Sequence, residues 1–128
     1  MNLLLDTHVF IWWTGNVPRI SPLAADSIAS PDNRVFLSVA SVWEMAIKTT
    51  LGRLELRSPL DDLVATMTAR HRFLDLPIRT PHAIAVAHLA RHHGDPFDRL
   101  LIAQAQTEDM RLVTADPAFA RYDVAILW

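Results

Sequence analysis

Short apolar runs of strand length alternate along this chain with longer segments that open on serine, threonine or aspartate, and few folds accommodate that order. We predict strands at residues 2–5, 34–37, 73–76, 112–114 and 124–127. Strands that are apolar without interruption are typical of a sheet that is buried on both faces. Their alternation with helices predicts an α/β fold with a mostly parallel central sheet, flanked by helices on both faces.

Polar capping residues mark the predicted helix starts, and several of them stand directly before a proline. Ser21–Pro22 and Thr80–Pro81 are two such starts, and Ser38 can cap the helix after the second strand. The predicted helices cover residues 7–13, 21–30, 38–51, 82–92, 98–108 and 117–121, with one more that begins at Ser58–Pro59. Gly52 and Gly94 are expected to end the helices that start at Ser38 and Thr80.

The size and composition of the chain are those of one globular domain. It has 128 residues, of which 51% are hydrophobic, and no cysteine. We therefore predict a single domain over residues 1–128, with a core that needs no disulfide. The lack of cysteine excludes Cys-ligated zinc and thiol catalysis. No apolar run approaches the ~18 residues of a membrane helix and the first residues do not read as a signal peptide, so we expect a cytoplasmic protein without membrane contact.

The charges are nearly balanced, with 12 basic and 14 acidic residues and a formal net charge of −2. Contact with nucleic acid would therefore have to be local, or helped by bound cations. The acids are eleven aspartates and three glutamates, whereas Lys48 is the only lysine. Because aspartate is a poor helix former and is seldom buried, the positions of the aspartates are informative.

Two aspartates follow predicted strands. Asp6 comes directly after the first strand, and Asp116 follows the strand 112–114 after one alanine. Ligands of parallel α/β sheets bind outside the carboxyl ends of the strands, so both acids lie at the edge where a site is expected. Each of them can instead cap the helical segment that follows it, and taken singly neither interpretation is favoured.

Asp95 and Asp98 stand at the start of another predicted helix, and one acid is enough to cap it. We predict that Asp98 faces the site and that Asp95 is the cap or a supporting group.

Glu44 lies inside the helix that starts at Ser38. It can form a surface pair with Lys48, four residues on, or face the same cavity as Asp6.

Carboxylates that share one cleft repel one another and raise each other's pKa. A bound divalent cation relieves that repulsion, and a set of oxygen ligands favours magnesium or manganese over zinc or copper. We therefore predict a Mg²⁺ site, with Mn²⁺ as the alternative ion.

Four segments together resemble the PIN-domain nucleases, and among them the VapC-type toxins of type II toxin–antitoxin systems. The resemblance is carried by their order and spacing, which extend over the chain from Asn2 to Trp128. The segments are Leu4–His8, Ser41–Lys48, Asp95–Ala105 and Val113–Asp116.

The resemblance implies a PIN-like fold and a Mg²⁺- or Mn²⁺-dependent ribonuclease that hydrolyses RNA phosphodiester bonds with a metal-activated water. It places both the metal ligands and the reactive groups at four acids, which are Asp6, Glu44, Asp98 and Asp116. The hydroxyl residues Thr7 and Thr114 match positions that support these ligands.

Partners are also implied by the resemblance: an RNA substrate, a cognate antitoxin protein that blocks the active-site groove, and a second copy in a homodimer. One departure from the pattern is Gly94, where relatives often carry a basic residue. That departure would weaken one phosphate contact and leaves the carboxylates intact.

Basic residues flank the Asp95–Asp98 segment and form either a cationic rim for the RNA backbone or a solvated helix end. They are Arg91, His92, His93 and Arg99. We favour the solvated end for His92 and leave both interpretations open for His93 and Arg99, with Arg99 counted among the supporting residues of the site. His8, directly after Asp6 and Thr7, can turn toward the site or away from it.

Tryptophans are concentrated at Trp12, Trp13 and Trp43. They can stack on RNA bases, but packing in the core or at a protein interface is the commoner use of tryptophan. We expect at least one of Trp12 and Trp13 to face the antitoxin or a second subunit, and Trp128 to pack against the last strand.

Two other functions stay open at this point. A phosphoaspartyl-type phosphatase could use Asp6, although His8 stands where such an enzyme has a second aspartate. A non-catalytic PIN-like binding module would keep the fold without the reaction, although all four acids are present. RNA cleavage with and without a chelator separates these functions from a metal-dependent nuclease.

Overall fold

One five-stranded sheet forms the centre of the protein in a computed structural model that describes residues 1–128. The sheet order is β3-β2-β1-β4-β5, and every neighbouring pair is parallel. The strands are β1 (Asn2–Leu5), β2 (Arg34–Ser38), β3 (Leu74–Leu76), β4 (Arg111–Val113) and β5 (Ile126–Leu127). The predicted parallel sheet is confirmed, and β1 is its central strand.

Six α-helices connect or follow the strands. They are α1 (Thr7–Gly15), α2 (Pro22–Ala29), α3 (Val39–Thr50), α4 (Leu60–His71), α5 (Thr80–Val86) and α6 (Pro96–Thr107). Short 3₁₀ helices cover Val17–Arg19 and Pro117–Arg121. None of the helices combines the length and apolar character needed to cross a membrane.

The core has two layers, one on each face of the sheet. Successive side chains of a strand point to opposite faces, so Leu3 and Leu5 enter one cluster and Leu4 the other. The first cluster is closed by α1 to α4, for example through Phe10. The second is closed by α6 and the 3₁₀ helix at Pro117–Arg121, through Leu101 and Phe119. The uninterrupted apolar strands therefore have the cause that the sequence predicts: both faces are covered.

Two serine caps lie where they are predicted. The Ser21 hydroxyl accepts a hydrogen bond from the Ala24 amide (3.1 Å), and the Ser38 hydroxyl accepts one from the Ala40 amide (3.0 Å). Ser38 also ends β2, so α3 starts directly at the carboxyl edge of the sheet.

The prediction of one helix over 82–92 is wrong. α5 ends at Val86, and the amides of residues 87–89 bond to carbonyls three positions back. The Arg99 guanidinium then donates to the carbonyls of Ala90 (2.9 Å) and Val86 (3.3 Å). The chain leaves the helix early because a side chain from α6 binds the carbonyl groups that a longer helix would have used.

Smaller boundary differences have local causes. α4 begins at Leu60 rather than at Ser58–Pro59, with Pro59 in the N-cap position and no side-chain cap. α6 begins two residues before Asp98. The last strand is only Ile126–Leu127, because β4 with which it pairs is itself three residues long.

Candidate active site

Asp6 occupies the point where the sheet order changes direction, between the ends of β1 and β4. Its amide donates to the Val113 carbonyl (3.0 Å), which continues the ladder between these strands and fixes the residue at the carboxyl edge. Its carboxylate is buried and accepts from the Thr114 hydroxyl (2.7 Å) and from the His8 amide (3.3 Å). Asp6 therefore caps α1, and its carboxylate lies at the edge of the sheet where the site is predicted.

Glu44 reaches the same edge from α3. The Thr7 hydroxyl donates to its Oε1 atom (2.8 Å) and lies 2.9 Å from the hydroxyl of Ser41. Only 3% of Glu44 is exposed, although a charged side chain in the middle of a helix usually faces solvent. The contacts across α1 and α3 hold this carboxylate beside Asp6.

Lys48 forms an ion pair with Glu44 from one turn further along α3, with 2.5 Å between Nζ and Oε2. The predicted i, i+4 pair thus exists, but it is not a surface pair because its acid is buried. The hydrogen bond to Glu44 raises the pKa of Lys48, and the negative charges of Asp95 and Asp98 add to the rise.

Asp95 and Asp98 divide the two tasks that the sequence suggests for them. The Asp95 carboxylate caps α6 by accepting from the Asp98 amide (3.0 Å). The Asp98 carboxylate is then left to face the site from the first turn of α6. Burial raises the pKa of Asp98 to about 8, and the negative charges of Asp95, Asp6, Glu44 and Asp116 add to the rise.

Asp116 is the most exposed of the four acids. Its carboxylate caps the short 3₁₀ helix by accepting from the Ala118 amide (2.9 Å), and its own amide donates to the Thr114 hydroxyl (3.1 Å). Thr114 therefore links the two acids at the ends of β1 and β4.

The acids influence one another as a cluster of like charges does. Burial raises the pKa of Asp6, opposed by the hydrogen bond from Thr114, and the charge of Glu44 adds to the rise. Asp98 is subject to the charges of all the other acids. Since negative charge is concentrated here, a cation is the partner that this edge of the sheet favours.

The donor chemistry suits a hard divalent cation, because every candidate ligand is a carboxylate or hydroxyl oxygen. In the positions that the structure gives them, however, no three acidic or histidine side chains are close enough to hold one ion. The residues thus fit Mg²⁺ or Mn²⁺ by type and charge, and binding requires the carboxylates to turn toward one another.

Arg99 contacts the segment after α5. Its guanidinium donates to the Tyr122 hydroxyl (3.2 Å) as well as to the two carbonyls of the segment after α5. Arg99 supports that segment, and through the Tyr122 hydroxyl it also connects to His93.

The histidines beside the acids have separate places. His93 lies with Nδ1 2.7 Å from the Tyr122 hydroxyl and Nε2 3.3 Å from Oδ2 of Asp98, so it contacts the site. The His92 ring packs edge-on against Tyr122. His8 is exposed, with Nδ1 3.9 Å from Oδ1 of Asp6.

The tryptophans are spread over the surface of the core. Trp12 packs against Trp128, with ring centroids 6.2 Å apart, as expected for an anchored last strand. Trp13 packs on Phe73. Trp43 is 56% exposed and contacts Phe97 edge-on. Trp43, next to Glu44, is therefore more exposed than either member of the adjacent pair, which are both half-buried.

A buried polar network behind the acids is absent from the sequence predictions. The Ser38 hydroxyl donates to Gln104, whose amide nitrogen lies 3.4 Å from Nδ1 of His82; Nε2 of His82 lies 2.7 Å from Glu108. It ties the start of α3 to α5 and α6. The signal that could have found it is Gln104 itself, a lone polar residue inside an apolar run.

Two cavities differ in their position relative to the acids. A cavity of about 160 Å³ adjoins the acids and is lined in part by Glu44, Lys48 and Arg53. A second cavity, of about 630 Å³, is lined by none of the four acids. It lies toward the amino ends of the strands, beside residues 70–72.

Comparisons with known proteins cover most of the chain. The family model of the PIN domain matches residues 3–125. The chain is similar to Ribonuclease VapC22 of Mycobacterium tuberculosis, with 34% identity over 118 residues, which cover 89% of this chain and 86% of that protein.

Solved structures share the fold at low identity. VapBC-1 from nontypeable Haemophilus influenzae gives a TM-score of 0.74 at 18% identity, over 99% of this chain and 97% of that one. VapBC2 from Rickettsia felis, bound to a DNA fragment from its promoter, gives 0.73 at 14%, over 99% and 98%. VapBC-5 from Mycobacterium tuberculosis, a member of the VapBC family of toxin-antitoxin systems, gives 0.60 at 22%, over 98% and 95%.

Proposed function

We propose that this chain, which belongs to the PIN domain family, is a ribonuclease that hydrolyses RNA phosphodiester bonds with the help of Mg²⁺ or Mn²⁺. The observation that carries the proposal is the group of acids at the switch point of the sheet, where their mutual repulsion helps to raise the pKa of Asp98 to about 8. The 34% identity to a protein named as a ribonuclease supports the same reaction.

Four carboxylates would hold the ion: Asp6, Glu44, Asp98 and Asp116. When bound, a divalent cation supplies positive charge that stabilises phosphoryl oxygens and lowers the pKa of a water molecule. The chain's own part is to present ionised oxygens at a fixed edge of the sheet. The pKa of Asp98 is raised to about 8 by burial and by the neighbouring acids, and a cation held there would favour its ionised form.

Two threonines hold the acids in place. Thr114 donates to Asp6, and Thr7 donates to Glu44. A hydroxyl that donates to a carboxylate oxygen limits rotation of the group and so fixes the direction in which its remaining lone pairs point. This supporting role is the one that the resemblance assigns to both residues.

The distribution of arginine supports a nucleic-acid substrate. The chain has eleven arginines, and none of the ion pairs in the structure involves an arginine. Most guanidinium groups are therefore free to contact phosphates, although the net charge is −2. A loaded metal site would add positive charge where the backbone must be cleaved.

We further propose a cognate antitoxin as protein partner, in the manner of a VapC toxin. The fold shared with VapBC structures and the exposed Trp43 beside the acids support a protein contact at the mouth of the site. A homodimer stays a prediction, which light scattering of the purified chain tests.

The alternative of a phosphoaspartyl enzyme is not favoured by any contact of Asp6. His8 stands two residues after Asp6, where such an enzyme has a second aspartate, and the family model that matches residues 3–125 is that of the PIN domain. The experiment that tests the proposed function is RNA cleavage by the purified chain in Mg²⁺, in EDTA, and after Mg²⁺ is restored. Cleavage should stop with EDTA and resume with Mg²⁺; persistent cleavage in EDTA contradicts a metal-dependent reaction, and no cleavage under any condition favours the binding module.

A further inference from the structure

Lys48 is the only lysine of the chain, and the structure places it on a buried acid of the site. All other basic side chains apart from histidine are arginines, and none of these pairs with a carboxylate. The chain therefore positions one compact, mobile cation directly at the acid cluster.

Both carboxylate oxygens of Glu44 are occupied. Oε1 accepts from the Thr7 hydroxyl (2.8 Å), and Oε2 accepts from Lys48 Nζ (2.5 Å). A divalent cation bound to Glu44 would repel the ammonium group of Lys48 but not the neutral hydroxyl of Thr7. Thr7 is buried and fixed between α1 and α3, whereas the Lys48 side chain is 38% exposed on a flexible four-carbon stem. Lys48 is thus the donor that can leave.

The space into which Lys48 can move is also present. The cavity of about 160 Å³ beside Glu44 is lined by Lys48 itself and by His8 and Arg53. Three groups that can carry positive charge meet there, next to the acids. That surrounding suits a phosphate group of the RNA backbone.

We propose that Lys48 is an exchangeable counter-ion of the site: its ammonium group neutralises Glu44 until a divalent cation takes that carboxylate, and then turns into the adjoining cavity to face an RNA phosphate. This inference rests on the proposed function, because it assumes that Glu44 binds the metal. If Lys48 only stabilised the helix, its ion pair with Glu44 would stay intact when metal is added, whereas the proposed exchange breaks that pair.

The single lysine makes a direct test possible. In protein labelled with ¹³C and ¹⁵N only at lysine, the side-chain signal reports Lys48 alone. On titration with Mg²⁺, we expect this signal to move to the position that it has in the Glu44→Gln variant without metal. A Lys48 signal that stays in place while backbone amides near Asp6 shift with Mg²⁺ overturns the exchange.

A second experiment measures the affinity for Mn²⁺ from the signal of free Mn²⁺ in electron paramagnetic resonance. Lys48→Met should bind Mn²⁺ about tenfold more tightly than wild type, because the ion no longer displaces a charge-assisted hydrogen bond. Lys48→Arg keeps the competing charge and should stay near wild type. Arg53→Met removes a neighbouring cation that makes no contact with the acids, so its affinity should change little.

The outcomes separate the inference from the function on which it rests. Equal or weaker Mn²⁺ binding by Lys48→Met, or an equal gain in Arg53→Met, overturns the exchange alone. If the wild-type chain binds neither Mg²⁺ nor Mn²⁺, the proposed metal-dependent function fails, and the exchange fails with it.

Discussion

The Thr114 hydroxyl donates a hydrogen bond of 2.7 Å to Oδ2 of Asp6, and so joins two residues 108 positions apart across the ends of β4 and β1. The same hydroxyl accepts from the Asp116 amide (3.1 Å). One side chain thereby sets the positions of two acids on neighbouring strands. The topology makes this contact possible, since β1 and β4 are the pair at which the sheet order reverses.

Replacement of Thr114 by valine keeps the shape of the side chain and removes its hydroxyl. The buried Asp6 carboxylate then loses one donor and keeps the His8 amide. We expect the free energy of unfolding to fall by about 1–3 kcal/mol and the cleavage rate to fall roughly tenfold or more. Urea unfolding and initial rates measure the two effects. Thr114→Ser should restore both, and a fully active valine variant would show that the hydroxyl does not position Asp6.

The Asp6→Asn variant removes one charge at nearly constant volume. We expect cleavage to fall below detection while the circular dichroism spectrum stays that of wild type, because the amide still accepts from Thr114 but no longer provides an ionised oxygen. Asp123→Asn, at an exposed position away from the acids, is the matched control and should remain active. Wild-type turnover by folded Asp6→Asn would remove this residue from the site.

Glu44 and Lys48 form one ion pair but should differ in their effect on the reaction. Glu44→Gln removes a proposed ligand, and we expect cleavage to fall roughly 100-fold or more, since even groups that only support metal ligands are worth about 10–100-fold. Lys48→Ala should cost far less. Rates of both variants at saturating Mg²⁺ decide the matter; if both retain activity, the pair has only a structural role.

Asp98 predicts a pH dependence of stability. Its pKa is about 8 in the folded chain and near 3.8 when unfolded, so the folded state binds more protons between these values. The contribution of Asp98 to the free energy of unfolding is therefore fully present below about pH 4, and it is lost as the pH rises toward about 8. In EDTA, the urea midpoint of wild type should fall over that range more steeply than that of Asp98→Asn. Parallel pH profiles would contradict the raised pKa.

Arg99 is expected to affect stability and not RNA contact. Arg99→Gln removes donors to two carbonyls and to Tyr122, and should lower the free energy of unfolding by about 1–3 kcal/mol. The dependence of RNA affinity on salt should keep its slope. A slope that falls by about one would show a lost phosphate contact, and Arg99 would then belong to the RNA surface after all.

Much of the fold could be predicted from local sequence. The strand after Met1, the serine caps of α2 and α3, and the covered sheet follow from residues that are close in the chain. The helix over 82–92 could not be excluded, because its early end depends on Arg99, which arrives from α6. Local pattern describes which helices can form; distant side chains decide where some of them stop.

The site, like the fold, could be predicted from the sequence only in part. The edge of the sheet that carries Asp6 could be predicted, since parallel strands bring their carboxyl ends together. The burial of Glu44 could not, because it depends on contacts with Thr7, 37 positions earlier. The hydrogen bonds from Arg99 to backbone carbonyls could not be predicted either. Nothing in the sequence around Arg99 distinguishes an arginine with a structural role from one that contacts phosphate.

The most direct test of the central claim is the position of a bound cation. Crystals grown with Mn²⁺ and measured near the manganese absorption edge reveal the ion by its anomalous scattering. We predict a peak within about 2.5 Å of carboxylate oxygens of Asp6 and at least one of Glu44, Asp98 and Asp116. Full Mn²⁺ occupancy elsewhere on the protein, with no peak at these acids, would contradict the account.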